Sequence, residues 1–504
     1  MNFQHMPLHA LVEQVVNRCP SAVAVQQPSG KTTFEQLWNK VVSLTRAILL
    51  TGAGRETVVA IALPPSADLL AAIIATSRSG AAFLLLDPEM ASRQRTDFVL
   101  GHSGASLLLS YPETPIAGPS KLGRLNVSNL AASSSLGDGQ TANGSRRTEP
   151  ALGSVAEDDL AYVMYTSGSS GIPKGVEISS SSLTNYLAWA VDTYLSPGLG
   201  GAPVITSIAF DMALTSLLTP LLGGQPVVFP PVDADFDEVA MVLGAGAPFS
   251  FIKTTPTHFH ILGAVLGPGA GQVATTLVVG GEQFQSGTLA AWRSGTTERV
   301  FNEYGPTEGT VASVTYDVNA AAAEAHGPTS IGRPIPGTDA YVLTPAGQRA
   351  NAGQDGELYI SGRCVARGYR SAPAATAARF VPDPFHPGAR MYRTGDRARV
   401  DSQGVFTCLG RIDDQLNLRG YRVEPAEVEA VLGRCDGVSS CVVTVEGDDR
   451  SARLVAFITG PPGVIVDCLA VRQHLSGMLP DYMVPSVIRQ VDQLAVSATG
   501  KLHR

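Results

Sequence analysis

Short apolar runs alternate with helix-like patterns through the first 312 residues, and this rhythm limits the possible folds more than any other feature. The runs Val58–Leu63, Ala81–Leu86 and Ala105–Leu109 predict buried strands, because they are short and largely apolar. The patterns at Ser66–Ser79 and Gln94–His102 predict helices between them. Strands that alternate with helices favour parallel sheets. The sequence therefore predicts an α/β fold.

The same alternation continues downstream. Helices are also predicted at residues 8–19, 33–52 and 212–222. Further strands are predicted at residues 203–208, 225–229, 249–253, 276–279 and 299–302. Each of the last three strands ends at or just before a small or polar residue, which is where an open α/β sheet places its ligand-binding loops.

After about residue 330 the pattern changes to short strands separated by Gly and Pro turns, which indicates an antiparallel, barrel-like section. From Arg411 a small α+β unit is predicted, with helices at Pro425–Leu432 and Cys468–Met478. We place a domain junction there, which divides the chain into residues 1–412 and 413–504. The Ser- and Gly-rich stretch Ala131–Pro150 is expected to be a surface loop.

Composition excludes several functional classes. The formal net charge is −8, which disfavours binding to nucleic acids or anionic membranes, and no apolar run is long enough to span a membrane. The N-terminal residues show no secretory signal, so a cytoplasmic protein with reduced cysteines is expected. His258 and His260 would share one face of a strand, but they lack carboxylate or thiol companions and favour a structural role over metal binding.

The segment Tyr165–Gly175 combines hydroxyls, glycines and one lysine between a predicted strand, Leu160–Tyr165, and a predicted helix, Leu183–Leu195. Glycines allow backbone N–H groups to turn toward an anion, while hydroxyls and Lys174 add donors and charge. The composition suits a polyphosphate, although the spacing is not that of the Gly-x4-Gly-Lys-Ser/Thr loop. A solvated turn would have the same composition, so both interpretations stay open at this point.

Seven motifs in order resemble one family. They lie at Leu160–Gly175, Asn302–Glu308, Gly356–Gly362, Tyr392–Asp396, Gly410–Glu429, Leu479–Pro485 and Thr499–Lys501. Together they resemble the adenylation domains of nonribosomal peptide synthetases, in the superfamily that also holds acyl-CoA synthetases and luciferases. The resemblance runs essentially end to end. It implies a large N-terminal domain, including the barrel-like section, and a small mobile C-terminal domain.

The resemblance implies a reaction in two stages. An amino acid carboxylate attacks the α-phosphate of Mg·ATP to give an aminoacyl-AMP and pyrophosphate. The small domain then rotates, and the phosphopantetheine thiol of a peptidyl carrier protein takes the acyl group. ATP and Mg²⁺ are therefore the expected cofactors.

The resemblance also assigns residues to ATP. Asn302 and Tyr304 would hold adenine, Thr307 would contact the α-phosphate, and Glu308 would ligate Mg²⁺. Asp396 would accept from the ribose hydroxyls, with Arg411 beside it. The positions expected to line the phosphate and nucleotide site are Thr166, Ser167, Gly168, Ser169, Ser170, Gly171, Lys174 and Gly281.

Three further residues take their roles from the resemblance. Lys501 would bridge the substrate carboxylate and the α-phosphate, and would stabilise the charge that shifts between them. Asp413 corresponds to the hinge of the small domain. Gly420 belongs to the loop expected to enter the site for thioester formation. Without the resemblance, Lys501 would be interpreted as a solvated lysine.

The amino acid is expected to bind beside Phe210 and Asp211, since a carboxylate there suits an α-ammonium group and separates amino acid activators from fatty or aryl acid activators. The pocket positions carried over from the family are Asp211, Met212, Thr215, Lys253, Val278, Gly280, Glu303, Val311, Ala312 and Lys501.

Lys253 and Glu303 are the unusual members of this set, because a lone buried charge is costly. The two could pair with each other and merely close the pocket floor. Alternatively, a substrate carboxamide could present its C=O to Lys253 and its NH₂ to Glu303, whereas a substrate carboxylate would be repelled by Glu303. Asparagine therefore fits better than aspartate, and the set also resembles the family's asparagine-type pocket. Met212 and Ala312 depart from the commonest residues, which leaves glutamine or a β-substituted asparagine or aspartate as alternatives.

The expected function is activation of asparagine, with aspartate as the nearest rival. More remote alternatives are an acyl- or aryl-CoA ligase and a silent nucleotide-binding scaffold. The stretch Thr376–Phe385 resembles a segment common in members that need an MbtH-like partner. Because the sequence carries no carrier-protein Ser motif, the chain is either free-standing or a fragment of a larger synthetase.

Overall fold

The computed structural model describes residues 6–87, 92–128, 154–168, 171–285, 289, 292, 297–318, 329–418, 420–447 and 452–494. Helices α1 to α11 within these ranges are Leu8–Arg18, Phe34–Leu50, Ala67–Arg78, Arg93–Ser103, Ser180–Tyr194, Met212–Gly223, Phe236–Gly246, Pro256–Leu266, Pro373–Arg379, Pro425–Leu432 and Cys468–Met478. Short 3₁₀ helices lie at Gly267–Gln272, Thr307–Gly309 and Asp481–Met483.

Strands β1 to β13 cover the parts of the chain that were predicted to alternate with helices. They are Val23–Gln27, Gly30–Thr33, Val58–Ala62, Ala82–Leu85, Ala105–Ser110, Gly123–Asn126, Leu160–Thr166, Lys174–Ser179, Ala202–Pro203, Val227–Val228, Phe249–Thr254, Ala274–Gly280 and Arg299–Tyr304. Strands β14 to β26 are Val314–Asp317, Arg333–Pro334, Thr338–Leu343, Asp355–Gly362, Gly368–Tyr369, Phe380–Pro382, Arg390–Val400, Phe406–Arg411, Leu416–Leu418, Tyr421–Val423, Ser440–Glu446, Arg453–Thr459 and Val487–Gln490.

Two mixed sheets carry the regions predicted to bind ligands. The first has the order β18-β8-β7-β4-β3-β5-β6, and strands β3 to β7 run parallel within it. The second has the order β11-β12-β13-β14-β15, in which β11, β12 and β13 are parallel. Every residue of β3 is buried, as expected for a strand covered on both faces. The predicted α/β fold with parallel sheets is confirmed.

Two smaller sheets complete the large N-terminal part. One has the order β2-β1-β10-β9. The other, β16-β17-β20-β19 with β21 paired to β20, is antiparallel throughout and occupies the region predicted to be barrel-like.

The C-terminal part is a small α+β unit. A hairpin, β22–β23, precedes helix α10, and β24-β25-β26 form a three-stranded sheet beside helices α10 and α11. Its apolar side chains, from Leu418 to Met483, form a hydrophobic core separate from those of the large part. Helices α10 and α11 have the bounds predicted from the sequence.

The Ser/Gly loop connects two strands, which corrects the predicted strand–loop–helix order. Strand β8 follows the loop and pairs antiparallel with β7, with Tyr165 opposite Gly175. Helix α5 begins only after β8, and the Ser179 hydroxyl caps it by accepting from Ser182 N–H. The loop is therefore the tip of a hairpin at one edge of the parallel strands.

Other predictions were wrong or incomplete. His258 and His260 lie in helix α8, not on a strand, and the Thr255 hydroxyl caps that helix. The strand predicted at 203–208 is reduced to Ala202–Pro203. Helix α7, which begins after a capping box formed by Asp235, was not predicted.

Several predicted features lie outside the described residues: the loop Ala131–Pro150, Ser169, Ser170 and Lys501. The six cysteines are all described, and none forms a disulfide. The helices within the described ranges are too short or too polar to cross a membrane.

Candidate active site

The ends of β11, β12 and β13 bring four of the predicted pocket residues together, where they would form the pocket floor. Lys253 pairs in register with Val278, and Gly280 with Glu303, so these four residues share one face of the sheet. A Cβ at Gly280 would lie 2.9 Å from the carbonyl oxygen of Glu303. Glycine at 280 therefore allows β12 and β13 to approach closely at the position of Glu303.

Lys253 and Glu303 form an ion pair in this floor. Lys253 Nζ lies 2.5 Å from Glu303 Oε2, and both side chains are almost fully buried. The ammonium group also donates to Thr215 Oγ1 at 2.8 Å and to the Tyr186 hydroxyl at 3.2 Å. The pairing that one interpretation of the sequence predicted is therefore present, and it makes the floor electrically neutral.

Two tyrosines of helix α5 contact the same carboxylate. The hydroxyls of Tyr186 and Tyr194 donate to Glu303 Oε1 over 3.0 and 2.5 Å. The sequence analysis did not identify either residue, because aromatic side chains in a helical pattern indicate core packing. They lie two turns apart on one helix face, and this spacing was the available signal.

Asp211 stands immediately before helix α6 at the wall of this pocket. Burial raises the pKa of Asp211 to about 6, although the charge of Lys253 and hydrogen bonds from Thr307 and the Val311 N–H oppose it. Its Oδ2 atom is buried and has no hydrogen-bond partner among the described residues. A buried carboxylate oxygen in this state is suited to an ammonium group from a ligand.

The remaining predicted pocket residues lie around this centre. Val278 and Ala312 are fully buried, and Val311 nearly so, with a φ of +65° that is rare for a β-branched residue. A Cβ on Gly281 would lie 2.8 Å from Met212 Cε, which places Met212 near the end of β12. Phe210 packs against Tyr421 of the small unit, with ring centroids 5.3 Å apart.

The predicted nucleotide residues lie on neighbouring strand ends. The Tyr304 hydroxyl donates to Asp396, and Arg411 Nη1 lies 3.1 Å from the same carboxylate. Asn302 is buried and donates to the carbonyl of Ser330. An aromatic ring, a carboxylate and a guanidinium are thereby held together, which is a suitable set for a nucleoside.

Glu308 is fully buried in the 3₁₀ turn Thr307–Gly309, and both of its oxygens are engaged. Tyr369 donates to Oε1 over 2.6 Å, and Arg422 of the small unit donates to Oε2 over 2.9 Å. Burial alone would raise the pKa of Glu308, but the charge of Arg422 and the Tyr369 hydrogen bond outweigh it and lower the pKa. Mg²⁺ prefers carboxylate oxygens as ligands, so Glu308 fits a metal ligand. Arg422, which now pairs with this carboxylate, would have to move away first.

The Ser/Gly loop also forms hydrogen bonds with the small unit. The Ser167 hydroxyl donates to the carbonyl of Arg422, and the Gly168 N–H donates to Glu427 Oε2 over 3.0 Å. Glu427 forms a nearly buried ion pair with Arg95 of helix α4. Thr166 Oγ1 is buried without a partner among the described residues, so the loop retains an unused donor for a phosphate oxygen.

Further contacts bring helix α10 and the hairpin β22–β23 to the same cleft. A Cβ on Gly171 would lie 2.7 Å from Ala430 Cβ, so only glycine allows this approach between the loop and α10. Gly420, with φ +84°, is at the hairpin tip close to Thr255, and Asn417 donates to the carbonyl of Gly281 over 2.5 Å. Asp413 lies in the connection before this hairpin and forms ion pairs with Arg411 and Arg379.

Lys174 lies at the start of β8, beyond the loop. Its Nζ is 5.5 Å from the ring centroid of Tyr369, whose hydroxyl reaches Glu308. Burial lowers the pKa of Lys174, while the charge of Glu424 opposes that shift. The structure thus brings the described loop residues, Glu308 and the predicted nucleotide residues close together, in a cleft whose other end would be the predicted amino acid pocket.

Two family models match separate parts of the chain. Residues 12–370 match the AMP-binding enzyme family, and residues 427–501 match the AMP-binding enzyme C-terminal domain. Surfactin synthase subunit 2 of Bacillus subtilis is 34% identical over 98% of this chain, which spans only 14% of the length of that subunit.

Solved structures share the fold. An artificially fused adenylation–PCP di-domain protein, NpsA-ThdA from Klebsiella oxytoca, matches 97% of this chain and 94% of its own, with a TM-score of 0.84 and 24% identity. A four-domain nonribosomal peptide synthetase bound to AMP and glycine matches the whole chain, over 36% of its own length, with a TM-score of 0.71 and 28% identity.

Proposed function

The chain belongs to the AMP-binding enzyme family as an adenylate-forming ligase of the nonribosomal peptide synthetase adenylation type, and from that premise we propose that the amino acid it activates is asparagine. Enzymes of this kind use ATP and Mg²⁺. The proposed product is asparaginyl-AMP with release of pyrophosphate, followed by transfer to a carrier-protein phosphopantetheine thiol.

The single observation that carries the choice of asparagine is the neutral floor of the pocket. Lys253 and Glu303 cancel each other in charge at 2.5 Å, in a site that excludes water. An aspartate side chain would add an unbalanced negative charge beside Glu303, whereas a carboxamide adds none. Glu303 Oε2 keeps one acceptor position for an amide N–H. The three N–H donors of Lys253 are already used by Glu303, Thr215 and Tyr186, which corrects the expected bond from Lys253 to the carboxamide C=O.

Asp211 supports an amino acid over an acyl or aryl acid. Its buried, unpartnered Oδ2 atom would gain a charge-assisted hydrogen bond from an α-ammonium group. A substrate without that group would leave the oxygen buried and unsatisfied, at a cost of about 1–3 kcal/mol. The CoA-ligase alternative is therefore less favourable at this position.

At the other end of the cleft, the protein's own residues would hold and orient the nucleotide. Mg·ATP supplies the electrophilic phosphorus and the pyrophosphate leaving group. The Thr166 hydroxyl, the Gly168 N–H and Lys174 would bind phosphate oxygens, and Glu308 would hold the metal once Arg422 withdraws. Asp396 and Arg411 would fix the ribose, and Lys501 would stabilise charge at the reacting carboxylate.

The boundary and motion of the small domain are part of this proposal. We assign residues 1–412 and 413–504 to the two domains, with Asp413 as the hinge. The hairpin tip at Gly420 lies beside Thr255 at the mouth of the pocket, which suits an arrangement for thioester formation. An arrangement for adenylation would instead bring Lys501 to the cleft.

Two further features remain proposals, a cytoplasmic location and an MbtH-like partner. The segment Thr376–Phe385 includes the end of helix α9, in which no residue is fully buried, and strand β19. A partner on this segment would increase the soluble yield or activity on co-expression, and an unchanged yield and activity would argue against it.

The experiment that tests the function is ATP–pyrophosphate exchange across the proteinogenic amino acids and one aryl acid. We expect asparagine to give the strongest exchange. Equal exchange with aspartate or glutamine would show that the interpretation of the pocket is wrong. Exchange with the aryl acid alone would favour the CoA-ligase alternative, and exchange with no acid would favour a silent nucleotide-binding domain.

A further inference from the structure

The hydroxyls of Tyr186 and Tyr194 both donate a hydrogen bond to the same carboxylate oxygen of Glu303, Oε1. The rings are fully buried, and the donor–acceptor distances are 3.0 and 2.5 Å. Neither tyrosine is among the pocket positions predicted from the sequence. Each hydroxyl is a charge-assisted donor to an ionised group, which is the stronger class of hydrogen bond.

These two hydrogen bonds determine which carboxylate oxygen of Glu303 can still accept a hydrogen bond from a ligand. A carboxylate oxygen accepts about two hydrogen bonds, so Oε1 is saturated by the tyrosines. The other oxygen, Oε2, contacts Lys253 and keeps one acceptor position. Without the tyrosine donors, the carboxylate could rotate and present either oxygen to the ligand.

The tyrosines are also held in their donor form. Burial and the negative charge of Glu303 both raise the pKa of Tyr186 and of Tyr194, so neither becomes a phenolate that would repel the carboxylate. Tyr186 has additional partners in Lys253 and Thr215. The ring of Tyr194 packs against Phe301, with centroids 5.2 Å apart, and its hydroxyl bond to Glu303 can be removed without altering that packing.

We propose that Tyr186 and Tyr194 are positioning residues for side-chain selectivity, which act by directing Glu303 Oε2 toward the amide N–H of the substrate. This inference rests on the proposed activation of asparagine. The tyrosines do not touch the substrate, and their effect reaches it only through Glu303.

The test compares kcat/KM for asparagine and aspartate in ATP–pyrophosphate exchange, with Tyr194→Phe against the wild-type chain. We expect the asparagine-to-aspartate ratio to fall by about tenfold, because one charge-assisted bond to a buried group is lost. The change should appear in the KM for asparagine, with kcat nearly unchanged. Tyr186→Phe provides a second test and should also lower the ratio.

Two controls separate positioning from a general structural effect. Tyr341→Phe removes a hydroxyl bonded to His386 in the antiparallel sheet, away from the pocket, and should leave the ratio unchanged. In a Glu303→Gln background, Tyr194→Phe should change the ratio no further, because the carboxylate through which Tyr194 acts is absent. Thermal unfolding of each variant checks that the fold is retained.

The outcomes distinguish the inference from the proposed function. A wild-type chain that does not prefer asparagine contradicts both. A wild-type chain that prefers asparagine, combined with Tyr194→Phe and Tyr186→Phe ratios within twofold of wild type, overturns the positioning role alone. An equal effect of Tyr194→Phe with and without Glu303 would also overturn it.

Discussion

The two ends of the cleft are completed by different parts of the chain. At the amino acid end, Lys253, Glu303 and the two tyrosines bond to one another, and all of them come from the large N-terminal part. At the phosphate end, Glu308 binds Arg422 and the Gly168 N–H binds Glu427, both from the small unit. The residues at one end are therefore held together within the large part, whereas those at the other end would have to exchange their small-unit partners before the proposed phosphate ligand binds.

This difference separates specificity from the ATP chemistry. In the proposed function, selectivity at the pocket depends on fixed buried charges, which would discriminate because they cannot rearrange. The phosphate end has to accept and release charged groups, and its acidic residues and N–H groups are satisfied by small-unit side chains in this arrangement. Partner exchange at that end would couple the position of the small unit to the state of the nucleotide.

The largest expected effect belongs to the phosphate end. Lys501→Ala should lower exchange by about 100- to 1,000-fold, since a preorganised charge at the reacting centre is lost. The preference for asparagine over aspartate should change little, because Lys253, Glu303 and the two tyrosines all come from the large part. Exchange assays with saturating ATP measure both quantities, and full activity of the variant would contradict the role of Lys501.

At the amino acid end, Glu303→His should shift preference from asparagine toward aspartate. The substitution removes the carboxylate that repels a substrate carboxylate, and we expect the ratio of kcat/KM values to change by about a hundredfold. An exposed substitution, Glu446→His, is the matched control. If the ratio stays at its wild-type value, Glu303 does not face the substrate side chain.

The pH dependence tests Asp211. Because its pKa is raised to about 6, the carboxylate is ionised above that pH and becomes protonated below it. The KM for the amino acid should therefore rise about five- to sixfold as pH falls from about 6 to about 5, because the protonated form cannot pair with the α-ammonium group. The KM for ATP, measured in the same assays, serves as the control. An amino acid KM that is flat across this range would exclude the pairing.

The smallest effect concerns Glu427. Its carboxylate accepts a hydrogen bond from the Gly168 N–H. Pyrophosphate would therefore compete with this carboxylate for the same donor. Glu427→Gln should strengthen binding of inorganic pyrophosphate by about fivefold in calorimetric titrations. Glu446→Gln removes a charge from the surface of the same unit and should have no effect. Equal affinities in all three proteins would mean that Glu427 does not compete with phosphate.

Much of the fold followed from local pattern. The buried runs that became β3, β4 and β5, and the bounds of helices α10 and α11, were predictable because apolar periodicity and turn residues agreed there. Strand β8 was not predicted, because it begins with Lys174 and Gly175, which resemble the polar and glycine residues of the loop. Only after them do apolar and polar residues alternate as in a strand. Helices α7 and α8 had local signals that were not used: the Asp235–Glu238 capping box, and Thr255 followed by Pro256.

The site was less accessible to sequence reasoning. The positions carried over from the family correctly placed Lys253 and Glu303 together, because both lie near the ends of neighbouring strands of one sheet. Asp211 lies just before helix α6. The contacts of Arg422, Glu427 and Arg95 were not predictable, since they depend on how the small unit packs on the large part. Pattern within a segment carries no information about such packing.

The central claim is that a fixed, neutral Lys253–Glu303 floor selects a carboxamide. The most direct measurement is the ratio of kcat/KM for asparagine to that for aspartate in ATP–pyrophosphate exchange by the unmodified chain. We expect a ratio of about one hundred or more, because an aspartate substrate would leave a buried charge unbalanced. A ratio near one, or one in favour of aspartate, would contradict it.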